Sequence, residues 1–361
     1  MTEADRPIAK GRGSQINPPN RFESTRYEFD FEQVAGDEEY LQSQRSLPTE
    51  YIPDNSKTII SENDSPDVGF RYSLNPYRGC SHGCPYCYAR TTHEYLGLSA
   101  GLDFETKVFV KERAAELFRD WLARDDWEPE LIVFSGVTDC YQPAERQFRL
   151  TRRCLEVALE ARQPVSIITK NALVTRDLDI LKEMAAFNTV SVGLSVTTLD
   201  QSLAKVMEPR TSTPTARLRA LSELNDAGVP AHVMLAPIIP GLNDSEIPSI
   251  LREAADAGAQ SASYILLRLP LNVRPVFLEW LDRTLPSSKE RVLSRIRSTR
   301  RGQLSDSQFG QRMRGVGEIA EQIKQAMQVF SKKYGLDKRP APLETSLFRR
   351  PRRSDGQLRL F

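Results

Sequence analysis

Seven short apolar runs alternate with amphipathic stretches between residues 68 and 285, and this alternation constrains the fold more than any other feature of the chain. The runs are FRYSLNP at 70–76, KVFV at 107–110, LIVFSG at 131–136, VSIITK at 165–170, VSVGLSV at 190–196, AHVMLAP at 231–237 and SASYILLR at 261–268. They are near-continuous and rich in β-branched residues, as strands covered on both faces are. ERAAELFRDWLA at 112–123, RLTRRCLEVALEAR at 149–162 and ARLRALSELNDAG at 216–228 carry apolar residues at helical spacing instead. Repeated β-then-α units predict an α/β fold with a parallel sheet and right-handed crossovers, either open or curled into a barrel. The 361 residues suffice to bury a sizeable core. In such folds chemistry collects on loops at the carboxyl ends of the strands, so functional residues should follow each run.

They do. The first run leads into NPYRGCSHGCPYCYAR, which sets Cys80, Cys84 and Cys87 in a C-x3-C-x2-C spacing. Gly79, Gly83 and Pro85 bend that segment, so three thiolates can face one inorganic centre. Three ligands suit a [4Fe-4S] cluster with one iron left open to a small molecule, since ordinary clusters take four cysteines. A zinc site completed by His82, His93 or Cys140 is the alternative, and three unrelated buried thiols the bland reading. Five cysteines, three of them inside this one loop, are no disulfide framework. No stretch approaches the ~20 apolar residues of a membrane helix. MTEADRPIAKGRG has no apolar signal-peptide centre, so a soluble cytoplasmic protein with reduced thiols is expected.

The cysteine spacing, with Tyr86 just before the last cysteine, resembles the radical S-adenosylmethionine (SAM) superfamily over about residues 68–270. CSHGCPYCYARTT, SGVTDCYQPAE and MEPRTSTP together look like its spore photoproduct lyase-like group, whose members are often described as DNA repair photolyases. The resemblance implies a partial (β/α)6 TIM-like barrel, a [4Fe-4S] cluster held by Cys80, Cys84 and Cys87, and reductive cleavage of SAM. It also implies an electron donor such as flavodoxin or ferredoxin. The resulting 5′-deoxyadenosyl radical abstracts a hydrogen atom, while the protein supplies binding, orientation and exclusion of water.

On the same resemblance, the loops after the later strands hold SAM. Thr138 and Asp139 meet the methionyl amino group, although the usual Gly-Gly-Glu is absent; an N-cap near Pro143 is the other reading of Asp139. Lys170 follows the next strand and could meet the carboxylate or ribose, or be merely solvated. Ser195, with Thr197 and Thr198 beyond it, stands where ribose contacts fall, and helix capping is the rival role. Arg210 holds the SAM carboxylate by resemblance, a task suited to a planar guanidinium. Glu208 orients it or touches substrate, unless the two form only an internal ion pair. Ile239 and Gly241 lie against adenine, and His232 is read as a core histidine. The enzyme that names the group relays its radical through a cysteine at the position of Gly136 here. Cys140 and Tyr141 are therefore the candidate catalytic relay in its place, with plain packing the competing reading.

The net charge of +1 hides a lopsided distribution. Residues 289–314 carry eight basic side chains against two acidic, and residues 330–361 nine against three, including RRPRR at 349–353. Counterion release from phosphates would favour nucleic acid, DNA above all, on such a region; a solvated helix and tail is the bland reading. Gln357-Leu358-Arg359-Leu360-Phe361 resembles the peptide that plugs the bacterial sliding clamp, with Arg359 departing from the favoured pattern and Leu347-Phe348 a weaker echo. The expected organisation is an irregular extension over 1–65, a core over 66–285, a basic helical region over 286–335 and a flexible basic tail over 336–361. The expected function is a radical SAM enzyme, lyase-like and acting on nucleic acid. Its rivals are a radical SAM enzyme of protein, peptide or RNA, and a clamp-associated DNA-binding protein with a structural cluster.

Overall fold

The computed structural model describes residues 8–23 and 47–353; Gln357–Phe361 lies outside them. Ten strands occur among the described residues: β1 (Glu50–Pro53), β2 (Ile60–Glu62), β3 (Tyr72–Leu74), β4 (Tyr77–Arg78), β5 (Lys107–Val110), β6 (Ile132–Phe134), β7 (Val165–Thr169), β8 (Val190–Ser195), β9 (Ala231–Ile238) and β10 (Ala262–Leu266). The larger sheet has the order β10-β9-β8-β7-β6-β3-β2. Six of its strands, β3 and β6 to β10, run parallel in chain order, and β2 adds an antiparallel edge. This is the expected partial (β/α)6 barrel. Both faces are covered, since Ile132, Val133 and Phe134 of β6 are all buried, as are Val192, Gly193, Leu194 and Ser195 of β8.

The principal helices are α1 (Ala114–Leu122), α2 (Leu150–Ala161), α3 (Leu178–Ala186), α4 (Gln201–Met207), α5 (Pro214–Asp226), α6 (Ile247–Asp256), α7 (Val273–Thr284), α8 (Lys289–Ser298) and α9 (Glu318–Lys333). Their starts are written locally. Asp200 accepts from the Ser202 and Leu203 N–H groups to cap α4, and Thr213 caps α5 with Pro214 at its first position. Cys154 lies on the buried face of α2.

Four expectations need correction. KVFV is β5 and leaves the barrel for a small sheet of order β1-β5-β4, because it pairs antiparallel with β4, at the base of the cysteine loop, and parallel with β1. The irregular extension expected to residue 65 contains β1 and β2, so the sheet begins before residue 66. Residues 299–317, inside the expected helical region, carry no helix. The tail is docked as far as residue 353. Leu336 O accepts from Ala262 N–H, Glu344 N–H donates to Asn188 O, Arg349 N–H to Ala161 O, and the Arg350 side chain to Trp127 O. Phe348 packs on the main core. All these contacts lie where the parallel strands begin, so the tail girds the end of the barrel opposite the cysteine loop.

Residues 310–314 bridge the two edges of the open sheet. Met313 O accepts from Leu266 N–H of β10, and Arg314 donates to Tyr264 O at 2.8 Å. On the far edge Asp67, between β2 and β3, accepts from Gly310 N–H and from Arg312, each at 2.6 Å.

Candidate active site

The cysteine loop follows β3 and is pinned from behind by residues 8–23. A Cβ on Gly13 would fall 1.7 Å from the Gly83 carbonyl oxygen, so only glycine permits this approach, and Gly83 itself has a φ of +75°. Fully buried Glu105 accepts from the N–H groups of Gly13 and Ser14 at 3.0 and 2.8 Å and pairs with fully buried Arg90. Arg90 in turn donates to Cys84 O at 2.9 Å. The strap, the ion pair and the cysteine loop thus form one continuous polar connection.

Cys80 and Cys84 are buried and Cys87 half-buried. Burial pushes all three thiols above their ordinary value, and their mutual proximity adds to the rise for Cys80 and Cys84. The N–H groups of His82 and Ala89 are directed at the sulfurs of Cys80 and Cys87. Buried thiols that face one another and receive N–H donors are the donor set of an iron–sulfur cluster. Each fourth ligand the zinc alternative named is engaged elsewhere. His82 sets Nε2 against the Asn171 amide at 3.3 Å and Nδ1 3.5 Å from Asp139, His93 is fully buried against Phe104 with Nε2 bonded to Lys107 O, and Cys140 lies in the main core.

Tyr86 donates its hydroxyl to Glu208, and Glu208 is held by Arg217, not by Arg210. Arg217, on α5, is 1% exposed. It also donates to Ser195 O, Ser212 O and Thr211 Oγ1 at 2.9, 2.8 and 2.6 Å. Burial pushes the Glu208 carboxyl up, but Arg217 and Lys170 outweigh it and hold the group below its ordinary value. Lys170 Nζ stands 5.9 Å from the Tyr86 ring centre. The rival reading of an internal Glu208–Arg210 ion pair therefore fails, since Glu208 pairs with Arg217. Arg210 donates to Gly11 O of the strap through Nε, and to His82 O through its backbone N–H.

Asp139 joins three loops. It accepts from Tyr141 N–H, Thr169 Oγ1 and Lys170 N–H at 2.9, 2.7 and 2.8 Å, and lies 3.5 Å from His82 Nδ1. Thr138 is buried, with its hydroxyl committed to Tyr77 O. Asn75, absent from the sequence-based set, accepts from the Val137 and Thr138 N–H groups. Cys140 and Tyr141 are both fully buried in the main core, and the Tyr141 hydroxyl donates to Asp177. They face packing partners, as the competing reading of the pair has it. The tyrosine that does reach the Gly136 position is Tyr88, whose hydroxyl donates to Gly136 O at 2.7 Å.

Ile239 is buried in a second apolar cluster with Cys84, Tyr86 and Met207, its N–H held by Asn243 Oδ1. Asn243 also donates to Thr197 O at 2.7 Å. Thr197 Oγ1 is buried and has no hydrogen-bond partner among the described residues. An orphaned hydroxyl just past the carboxyl end of β8 suits a ligand that brings its own donor or acceptor. The cysteine loop, Lys170, Asp139, Ser195, Thr197 and Ile239 therefore all stand on one end of the barrel, after successive strands.

A family profile, the Radical SAM superfamily, matches residues 74–254. An uncharacterized protein of Mycobacterium tuberculosis is 37% identical over 281 residues, covering 76% of this chain and 78% of its own length. An uncharacterized protein of Methanocaldococcus jannaschii is 32% identical over 222 residues, covering 62% of this chain and 79% of its own. Among solved structures, spore photoproduct lyase complexed with dinucleoside spore photoproduct superposes with a TM-score of 0.56 at 14% identity, covering 79% of each chain. At that identity the likeness concerns the fold. The matched segment runs from the end of β3 into α6 and so contains the three-cysteine loop and most of the rim. With that loop on the first of six parallel strands, the chain belongs to the Radical SAM superfamily and binds a [4Fe-4S] cluster and SAM.

Proposed function

We propose that this radical SAM enzyme acts on nucleic acid, DNA in the first place, in a lyase-type, repair-like reaction in the cytoplasm. Cluster and SAM together supply one-electron cleavage of a carbon–sulfur bond and a carbon radical able to take a hydrogen atom from substrate. Cys80, Cys84 and Cys87 would hold the cluster. Lys170 and Arg210 would meet the SAM carboxylate, Asp139 its amino group, Ser195 and Thr197 the ribose, and Ile239 the adenine. The Tyr86–Glu208–Arg217 chain positions these loops against one another, and the apolar cluster around Ile239 and Met207 keeps water out.

The observation that carries the nucleic-acid reading is the placement of α8. Its inner face, Val292, Leu293 and Ile296, packs in the same apolar cluster as Cys84 and Tyr86. Its outer face therefore sets the exposed Arg291, Arg295 and Arg297 beside the site. A basic helix packed against the Gly241 turn after β9 is an electrostatic platform for phosphates. The fold shared with spore photoproduct lyase supports the same direction. Reduced holoenzyme should form 5′-deoxyadenosine from SAM faster with single- or double-stranded DNA present than without it. Stimulation by RNA, peptide or protein alone would move the substrate to that class. No nucleoside under any condition, with a full cluster and competent reductant, would leave the cluster a structural one.

Two partners complete the proposal. A flavodoxin or ferredoxin supplies the electron, and Gln357–Phe361 docks on a sliding clamp.

A further inference from the structure

The open side of the barrel carries more positive than negative charge. Arg268 lies within electrostatic reach of both Arg300 and Arg312, with Asp67 shared by Arg268 and Arg312 and Asp306 near Arg300. Two of the three guanidiniums are committed. Arg312 is bonded to Asp67 and Ser65, and buried Arg300 donates to Gln311 O and Leu267 O. Arg268 differs. It is half-buried, forms no ion pair among the described residues, and its single hydrogen-bond acceptor there is the Met313 thioether at 3.5 Å, a weak one. Burial, and then repulsion from Arg312, holds its pKa below the ordinary guanidinium value. A guanidinium with five donors left without an oxygen acceptor in a half-buried, net positive place is short of an anion.

Its position says which anion. Arg268 lies two residues past the carboxyl end of β10, on the rim that bears the cluster loop. Its guanidinium stands 6.0 Å from the centre of the Tyr88 ring, and Tyr88 directly follows Cys87. The residues suited to SAM's carboxylate, Lys170 and Arg210, stand on other loops, against Tyr86 and the strap. We infer that Arg268 binds a backbone phosphate of the substrate, beside Tyr88 at the open side of the barrel; this rests on the nucleic-acid reading above. A planar fork matches two phosphate oxygens at once, and the neighbouring Arg300 and Arg312 raise the local potential without competing for them.

The test uses full-length holoenzyme and a fluorescent single-stranded oligonucleotide, titrated across a series of salt concentrations. Arg268→Ala should weaken binding several-fold at low salt and lower the slope of log affinity against log salt by about 0.7, the loss of one phosphate contact on a single strand. Arg268→Lys should restore the slope and part of the affinity. Arg219→Ala, which removes an exposed arginine from the outer face of α5, should behave as wild type. Cluster absorbance and melting temperature, unchanged across the series, establish that each variant is folded. Wild-type slope in Arg268→Ala overturns the inference while leaving the nucleic-acid reading standing. A raised KM for SAM with unchanged oligonucleotide binding overturns it in favour of a cofactor contact. Absence of salt-dependent oligonucleotide binding by the wild type removes the nucleic-acid reading, and the phosphate contact with it.

Discussion

Arg217 divides its donors among a carboxylate, a hydroxyl and two carbonyls that belong to the loops after β8 and α4. Its removal strands Glu208 as a buried, unpaired charge. Arg217→Met should therefore cost about 3–5 kcal/mol in denaturant unfolding, and Arg217→Lys should recover only part, because an ammonium cannot span those acceptors. Sequence pointed to Arg210 because it stands next but one to Glu208. The true partner is nine residues away, on a helix where an arginine reads as one more solvated charge, and spacing carries no sign of that contact. His93 gives a second prediction. Burial holds its pKa at about 4, against about 6.5 unfolded. The unfolded state therefore binds the proton first, and stability falls as pH drops from about 6.5 to about 4, by up to about 3 kcal/mol. Urea unfolding of wild type and His93→Gln at pH 7.5 and 5 should show a shallower acid loss in the variant.

The elements were legible to different depths. Strands β3 and β6 to β10 announced themselves because a strand covered on both faces must be apolar throughout, and the cysteine loop because three thiols at that spacing have few other uses. β5 looked the same in sequence, yet only its antiparallel pairing with β4 removes it from the barrel. Cys140 and Tyr141 stand in the right loop, but the turn at Ser135, with φ of 75°, sends them into the core. The docked tail left no periodic trace, since its anchors are mostly bonds to backbone carbonyls plus one aromatic side chain. Phe348→Ala should lower stability by about 2 kcal/mol, read as an earlier unfolding midpoint, while 5′-deoxyadenosine formation per folded molecule stays unchanged.

At the scale of the molecule the two ends of the barrel have separate duties. The rim at the carboxyl ends of the strands holds the cysteine loop, the loops proposed to meet SAM and the basic α8; the opposite end is girded by residues 336–353. The clamp-like peptide, which follows that girdle in sequence, carries the proposed clamp contact. Deletion of Gln357–Phe361 should abolish binding to a sliding clamp in a pull-down or calorimetric titration and leave nucleoside formation intact. The bridge formed by residues 310–314 bears on what can enter. On the β2–β3 side it is fastened by the contacts of one aspartate and one serine, where a closed barrel would have a full ladder of backbone bonds. Parting it exchanges a few polar contacts for water and leaves the sheet whole. On the proposed nucleic-acid reading, a bridge held by so few contacts lets the middle of a polymer enter sideways, with no free end to thread.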